Sequence, residues 1–197
     1  FILALYLTIF YFHEKEFAGA SAYFYEQNFL WFSNPHISFH TGVDGISVAL
    51  LLLTSIVLFT GTLFSQKIDT LYREFFILLN LLGAGAYGFF MSLDLFTLFF
   101  FFELAVVPKF LLIAIWGSGT PVRSAMKLVL MLMTGSALVL AALLITYHSL
   151  PPGGQTFDLT RLAAGMLDPS LQRFLFMLFF VGFGILSALF PFHTWAP

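Results

Sequence analysis

The residues with the strongest case for chemistry are an acid and a base inside one long apolar stretch. That stretch is LFTLFFFFELAVVPKFLLIAIWG, residues 95–117, and it contains Glu103, Pro108 and Lys109. A charge at the centre of a membrane helix costs about 2.5–3.5 kcal/mol on insertion scales, so such residues usually face a cavity or a partner. A functional role is therefore predicted for Glu103 and Lys109. In a purely structural alternative, neighbouring helices satisfy the glutamate and the lysine extends toward the membrane surface.

Proton transfer is the chemistry expected of this pair. A low-dielectric environment disfavours each isolated charge, whereas a nearby opposite charge favours both charged forms, so small changes in distance or hydration can move a proton. Six residues of regular helix correspond to about 9 Å of rise and roughly 240° of rotation, so Glu103 and Lys109 do not share a face. Pro108 removes a backbone hydrogen bond and predicts a kink that admits water or another side chain. Water or neighbouring helices would connect the acid and the base.

A second candidate lies near the end of the sequence, in ALFPFHTWAP. Pro191 predicts a break in the last apolar segment, and broken membrane helices are tolerated where the freed backbone lines a cavity or is buried in protein. His193 follows this break and can titrate near neutral pH. A lone histidine is more often structural, so both interpretations stay open.

Membrane helices must position these residues. Hydrophobic residues make up 60% of the 197 residues and charged residues only 9%, with a mean hydropathy of +0.96. About 20 apolar residues cross a hydrocarbon core of about 30 Å, and the sequence has six candidate segments. They are residues 1–12 (partial), 42–64, 75–92, 95–117, 126–148 and 172–190. Because these segments are continuously apolar and do not alternate, they predict an all-α, polytopic transmembrane helix bundle.

Two long connections separate the segments. Residues 13–41 are rich in aromatic side chains, which is typical of a loop in the headgroup region. Residues 149–171 contain Asp158, which can cap a short amphipathic helix. The apolar residues of that helix, at helical spacing, are Leu159, Leu162, Ala163 and Met166.

Several motifs have plainer explanations than binding sites. The sequence GAGAYG, with Gly83, Gly85 and Gly88, matches a dinucleotide pattern but lies inside an apolar segment, where it predicts close helix packing. The sequence HEKEF has Phe17 where a metalloprotease motif needs its second histidine, so no metal site is predicted.

Histidines and aspartates near the segment ends receive structural interpretations. His36, His40 and His148 are predicted to be surface or interfacial residues, because they lie in loops or at helix ends. Asp44 and Asp94 each precede an apolar segment, and they are predicted to cap its helix. Proton uptake or a subunit contact is the alternative for both aspartates.

Composition also excludes some functions. The 197 residues contain no cysteine, so they hold no disulfide or cysteine-ligated iron–sulfur cluster, and redox chemistry is expected on another subunit. No cofactor is predicted on this chain. The net charge is −2 and no basic run is present, so no nucleic-acid partner is predicted.

Three motifs together point to a family. GVDGIS, FFELAVVPKFLLIAIWG and FPFHTWAP, in this order, resemble the antiporter-like membrane subunits of NADH-quinone oxidoreductase (respiratory complex I), in particular subunit M. The resemblance implies an antiporter-like fold with discontinuous helices and proton translocation driven by quinone reduction elsewhere. It implies that residues 1–197 form one membrane domain, expected to be an N-terminal half fragment. The implied partners are other membrane-arm subunits and the lipid bilayer, and the implied location is the bacterial inner membrane.

The resemblance also implies residue roles. Glu103 matches the fifth-helix glutamate of the proton path, and His193 lies at the break of the seventh helix. Leu186 stands where the family usually has a lysine, and Lys109 stands where an apolar residue is more common. The hypothesis that follows is that the base has moved from the seventh helix to the fifth. The alternatives are a cation/proton antiporter subunit, a membrane-bound hydrogenase subunit, or a structural subunit with an inactive channel.

Overall fold

Long helices account for most of the chain. The computed structural model describes residues 1–17, 23–33, 35–151, 153–162 and 167–195. The helices are α1 (Ile2–Phe17), α2 (Gly45–Phe64), α3 (Tyr72–Met91), α4 (Leu95–Trp116), α5 (Pro121–Ser149), α6 (Leu159–Leu162) and α7 (Pro169–Leu186), with 3₁₀ turns at Ser65–Lys67 and Phe192–Trp195. Within the described ranges, five helices are long and apolar enough to cross a membrane: α2, α3, α4, α5 and α7. The all-α transmembrane class is confirmed.

The first long connection forms a hairpin and is not an irregular loop. Its strands, β1 (Phe24–Phe32) and β2 (Ile37–Val43), pair antiparallel and place Asn28 opposite His40. Aromatic residues on both sides of a turn that contains Pro35, together with the β-branched residues of β2, favour such pairing. The aromatic content that predicts a headgroup loop is thus explained equally well by strands. β2 is largely buried, whereas β1 is exposed after its first residue.

Aspartates cap the starts of α2 and α4. The Asp44 carboxylate accepts a hydrogen bond from the Ser47 amide at 2.7 Å at the start of α2. The Asp94 carboxylate accepts from the amides of Phe96 at 2.9 Å and Thr97 at 3.1 Å at the start of α4. These two predicted caps are therefore confirmed, because free amides of the first helical turn find side-chain acceptors.

The predicted amphipathic helix is only partly described. Asp158 accepts a hydrogen bond from the Thr160 amide at 2.9 Å, so it caps α6 as predicted. Leu159 and Leu162 lie on α6. Ala163 and Met166 lie outside the described residues.

Glycines allow α3 to approach its neighbours closely. Gly83 faces α2, whereas Gly85 and Gly88 face α4. A Cβ atom added to Gly85 would lie 2.9 Å from the Ala105 Cβ and 3.0 Å from the Phe101 carbonyl oxygen. Backbone and side chain of α4 therefore occupy the space that a larger residue would need. The predicted use of these small residues in helix packing is confirmed.

A second pair of glycines joins α5 to α7. A Cβ atom on Gly135 would lie 3.1 Å from the Gly182 carbonyl oxygen, and one on Gly182 would lie 3.1 Å from the Gly135 carbonyl oxygen. α4 packs against both α3 and α5, and α5 packs against α7. This order brings the end of α7 close to α4.

Gly85→Ala is expected to destabilise the protein, because the added methyl group must displace the α4 backbone. Overpacking of this kind costs about 1–3 kcal/mol. Gly61→Ala is the matched control, since nothing lies within 4 Å of a Cβ at that helical position. Thermal unfolding in detergent micelles measures both. Equal midpoints for the two variants would show that α3 and α4 do not pack this closely.

Candidate functional site

Glu103 lies within the membrane-spanning helix α4. Its side chain is half-buried, and its Oε1 atom is buried without a hydrogen-bond partner among the described residues. Phe100 and Val107, three residues before and four after it, are exposed on the outer side of α4. Leaving a buried acceptor unpaired costs about 1–3 kcal/mol. An unpaired carboxyl oxygen at this position suits a group that binds and releases a proton or contacts another chain.

Lys109 faces a cavity between α3, α4 and α7. The cavity measures about 630 Å³, and its walls are mainly leucine, alanine and phenylalanine side chains. The Lys109 ammonium lies 5.6 Å from the centroid of the Phe102 ring. A cation over an aromatic face is stabilised by the ring quadrupole. None of the ion pairs between described residues includes this ammonium.

The acid and the base lie on different sides of α4. Lys109 lines the α3–α4–α7 cavity together with Phe102 and Ala105, whereas Glu103 is not among its lining residues. The expectation that the two do not share a face is therefore confirmed. Pro108 is buried, and α4 continues through it as one helix from Leu95 to Trp116.

Leu186 and Lys109 line the same cavity. Leu186 is the last residue of α7 and also packs against the cluster formed by Val106, Leu128 and Leu132. The two positions of the hypothesised exchange therefore open onto the same space. A transfer of the base from α7 to α4 remains a prediction, and this geometry permits it.

The interruption of α7 comes earlier than predicted. The helix ends at Leu186, four residues inside the predicted limit of 190 and before Pro191. The Ala188 amide donates to the Ile185 carbonyl, and the Leu189 amide donates to the Gly184 carbonyl. With Ala188 in the left-handed region at φ 56°, these bonds form a Schellman cap. Backbone capping, and not Pro191, therefore ends the helix.

His193 lies in the short 3₁₀ turn after this interruption. Its side chain is exposed, and its ring stacks on Phe190 with a centroid distance of 5.6 Å. The Trp195 indole donates to the Ile185 carbonyl at 3.0 Å and ties the turn to α7. Lys127 of α5 donates to the Thr194 carbonyl. His193 is not among the cavity residues, so the structure does not bring it together with Lys109.

Sequence reasoning missed a polar cluster, buried except for one surface carboxylate, where the hairpin meets α4. This loop-face cluster consists of Glu26, Ser38, His40, Asp94 and Asp158. The prediction that His40 is a surface residue is wrong, because its side chain is only 2% exposed. Its Nε2 lies 2.8 Å from Glu26 Oε1, and its Nδ1 lies 3.2 Å from Asp158 Oδ2.

Backbone pairing buries this histidine. The Leu93 amide donates to the His40 carbonyl at 2.8 Å, and the Leu95 amide donates to the Phe157 carbonyl at 2.9 Å. The Leu159 amide in turn donates to the Leu93 carbonyl at 3.0 Å. The residues before α4 thus lie between β2 and the segment that leads into α6. His36 is half-buried and His148 is exposed, as predicted for interfacial or surface residues.

The two aspartates of the loop-face cluster have different electrostatic environments. Burial raises the pKa of Asp94, the Asp158 charge adds to this effect, and hydrogen bonds from Thr97 and Phe96 offset it only in part. Burial would also raise the pKa of Asp158, but the Thr160 hydrogen bonds and the charges of His40 and Arg161 lower that pKa below its ordinary value.

These features define an integral membrane protein with an acid and a base inside one membrane-spanning helix. A family model described as "NADH:quinone oxidoreductase/Mrp antiporter, TM" matches residues 92–197, which is more than half of the chain. The chain belongs to this family.

Named relatives agree with this assignment. NADH-quinone oxidoreductase subunit M of Rickettsia prowazekii is 30% identical over 182 residues, covering 90% of this chain and 36% of that protein. NAD(P)H-quinone oxidoreductase chain 4 3 of a Picosynechococcus species is 34% identical over 171 residues, covering 87% of this chain and 31% of that protein. The chain thus spans about a third of the length of these curated relatives.

Solved structures share the fold. A chain of respiratory complex I from Thermus thermophilus, with bound NADH, matches with a TM-score of 0.82 and 27% identity, covering 98% of this chain and 38% of that chain. A chain of the archaeal membrane-bound sulfane sulfur reductase matches with a TM-score of 0.72 and 21% identity, covering 98% and 30%, and shows the fold alone. The antiporter-like fold is confirmed.

Asp94→Ala is expected to destabilise the protein more than Asp44→Ala. Both changes remove a helix cap, which costs about 1 kcal/mol. The Asp94 carboxylate is fully buried and also accepts a hydrogen bond from the Ser38 hydroxyl, so its loss leaves buried donors unpaired at a further cost of about 1–3 kcal/mol. Thermal unfolding of both variants in the same detergent measures the difference, and a larger loss for Asp44→Ala would contradict the role given to Asp94.

Proposed function

We propose that this chain is a proton-translocating membrane subunit of an NADH-quinone oxidoreductase. The observation that carries the proposal is the buried, unpaired carboxyl oxygen of Glu103 inside α4 of a chain that belongs to this family. Ionisable residues in membrane helices commonly mark a proton path. In this proposal residues 1–197 act as one membrane module of a subunit in the bacterial inner membrane.

Quinone reduction would supply the energy on other subunits. The cysteine-free sequence offers no ligands for a cysteine-bound iron–sulfur cluster, which supports a division of labour between this chain and redox-active partners. Other membrane-arm subunits are the proposed partners. The chain would then contribute to the enzyme as a translocase subunit without redox chemistry of its own.

Lys109 is the proposed base of the proton path. Its ammonium occupies the cavity that Leu186 also lines, so an amine reaches the same space from α4 that a lysine at position 186 would reach from α7. Water or neighbouring side chains would connect it to Glu103, because the two residues lie on different sides of α4. His193, exposed after the end of α7, would exchange protons with groups outside the cavity.

A cation/proton antiporter is the second candidate, because the description of the matching family names both protein types. Membrane-bound hydrogenase subunits form a further alternative with the same kind of fold. Proton movement that requires quinone reduction supports the oxidoreductase, whereas cation-dependent proton exchange without reduction supports the antiporter. If the chain is a scaffold with an inactive channel, proton pumping by the complex depends on neither Glu103 nor Lys109.

Glu103→Gln is expected to lower coupled proton pumping by about tenfold or more, because the amide keeps the shape but cannot carry the proton. The measurement is proton uptake into vesicles that contain the complex, with quinone reduction followed in parallel. Glu74→Gln is the matched control, since Glu74 is exposed in the first turn of α3. Unchanged pumping per quinone in Glu103→Gln would rule out a proton path through this residue.

Moving the base back to α7 tests the role of Lys109. Lys109→Met is expected to lower pumping, and adding Leu186→Lys to that variant is expected to restore much of it, because both positions line one cavity. Lys67→Met, at an exposed lysine after α2, controls for loss of any positive charge. The hypothesis fails if Lys109→Met pumps normally, or if the double variant pumps no better than Lys109→Met in correctly assembled complex.

A further inference from the structure

The loop-face cluster runs from the protein surface to the start of α4. The Glu26 side chain is 52% exposed, whereas those of His40 and Asp158 are 2% and 5% exposed. His40 lies between the two carboxylates, with one ring nitrogen directed at each. A solvent-accessible acid is thus joined through one buried imidazole to a buried acid.

The His40 imidazole has a carboxylate within reach of each ring nitrogen. A neutral ring has one N–H and can donate to only one of the two carboxylates, whereas an imidazolium donates to both. Nδ1 is buried and lacks a well-formed hydrogen bond, although Asp158 Oδ2 is only 3.2 Å away. A carboxylate oxygen therefore lies at each ring nitrogen, so the ring offers a proton-transfer contact on both sides.

A small polar cavity continues from Asp158 toward Asp94. It measures about 290 Å³ and is lined in part by Asp158, Ser38, Asn28 and Arg161. Such a volume admits several water molecules, and these side chains offer the polar partners that ordered water needs. The Ser38 hydroxyl donates to Asp94 Oδ2 at 3.4 Å, so it connects the cavity to the cap of α4.

Nearby charges and burial determine which of the two aspartates, Asp94 or Asp158, binds a proton more strongly. Glu26 faces His40 from β1, and Asp158 faces it from the start of α6, with Arg161 Nε 3.7 Å from the Asp158 carboxylate. Burial raises the pKa of Asp94, whereas the pKa of Asp158 is lowered by Thr160, His40 and Arg161 against the opposing effect of burial. Of the two aspartates, Asp94 therefore binds a proton more strongly.

We propose that the loop-face cluster is a proton relay in which His40 passes protons between Glu26 at the surface and Asp158, and onward to Asp94. This inference rests on the proposed function and adds a site of proton exchange with the aqueous phase. A proton on the Glu26 carboxyl forms a new N–H bond at His40 Nε2, and the N–H bond at Nδ1 breaks as its proton passes to Asp158. The ring then returns to its starting tautomer through water or rotation, and no electrons are gained or lost.

The relay would serve the helix that carries Glu103. Asp94 caps α4, and Glu103 follows nine residues later, which corresponds to about 13 Å of helical rise. A proton held at Asp94 therefore lies at the beginning of the helix that bears the central acid. Water along α4 would complete the path, and the same groups can carry protons in the opposite direction.

The test uses the complex that contains the full-length protein, reconstituted in vesicles. Pumping per quinone reduced is measured for Glu26→Gln, His40→Gln and His40→Ala from pH 6 to pH 8, and imidazole is added to His40→Ala. His148→Gln is the matched control, because His148 is exposed and lies at the end of α5 near the same face. Glu103→Gln is measured alongside, and complex assembly is quantified for every variant.

The relay predicts a loss of about threefold or more in Glu26→Gln and His40→Gln, with a changed pH profile, and parental pumping in His148→Gln. Added imidazole should restore pumping to His40→Ala, which a purely structural histidine would not do. Should His40→Ala fail to assemble, the half-exposed Glu26→Gln decides the matter. Normal pumping in both Gln variants with loss in Glu103→Gln overturns the relay alone, and parental pumping in all three overturns the proposed function as well.

Discussion

A hydrocarbon core offers no water to polar groups, so every amide, hydroxyl and carboxyl within it must find a partner inside the protein. The long helices satisfy their own backbones, and hydroxyls follow the same rule: those of Thr54, Thr60 and Thr134 each donate to the carbonyl four residues earlier. Two atoms in the described membrane helices depart from this rule, because the buried Ser55 Oγ and the buried Glu103 Oε1 have no hydrogen-bond partner. Departures from polar satisfaction concentrate where function requires a change of charge.

The same constraint explains where the polar network of the protein lies. The polar contacts of Asp94, His40 and Asp158 lie at the N-terminal end of α4, next to the hairpin and to the residues just before α6. They do not lie along the apolar middle of the helices. Hydrogen bonds to a charged group are stronger than those between neutral groups, and the buried Asp94 carboxylate accepts them from Ser38, Phe96 and Thr97. The cluster therefore fixes the start of α4, while Gly85 brings its length against α3. α4, which carries Glu103 and Lys109, is therefore fixed at its N-terminal end by the cluster and along its length by contact with α3.

Local signals predicted the helices and their caps, because apolar runs and aspartates such as Asp44 act within a few residues. The burial of His40 could not be predicted in this way, since it depends on strand pairing and on Asp158, which is far along the chain. A hairpin assignment for residues 24–43, from aromatic and β-branched residues around Pro35, was the available signal. The end of α7 was missed because a left-handed cap usually carries glycine, and here the residue is Ala188.

The surroundings of Lys109 explain how its ammonium can be stabilised although Glu103 lies on the other side of α4. Its ammonium rests over the Phe102 ring in a mostly apolar cavity, so the aromatic face supplies part of the stabilisation that a carboxylate would otherwise give. Glu103 is then not required as a permanent counter-ion of Lys109. Because Leu186 fills the wall of the same cavity, the amine can shift only within a space that α7 helps to enclose. A change in the packing of α7 against α4 would therefore alter the surroundings of the Lys109 ammonium.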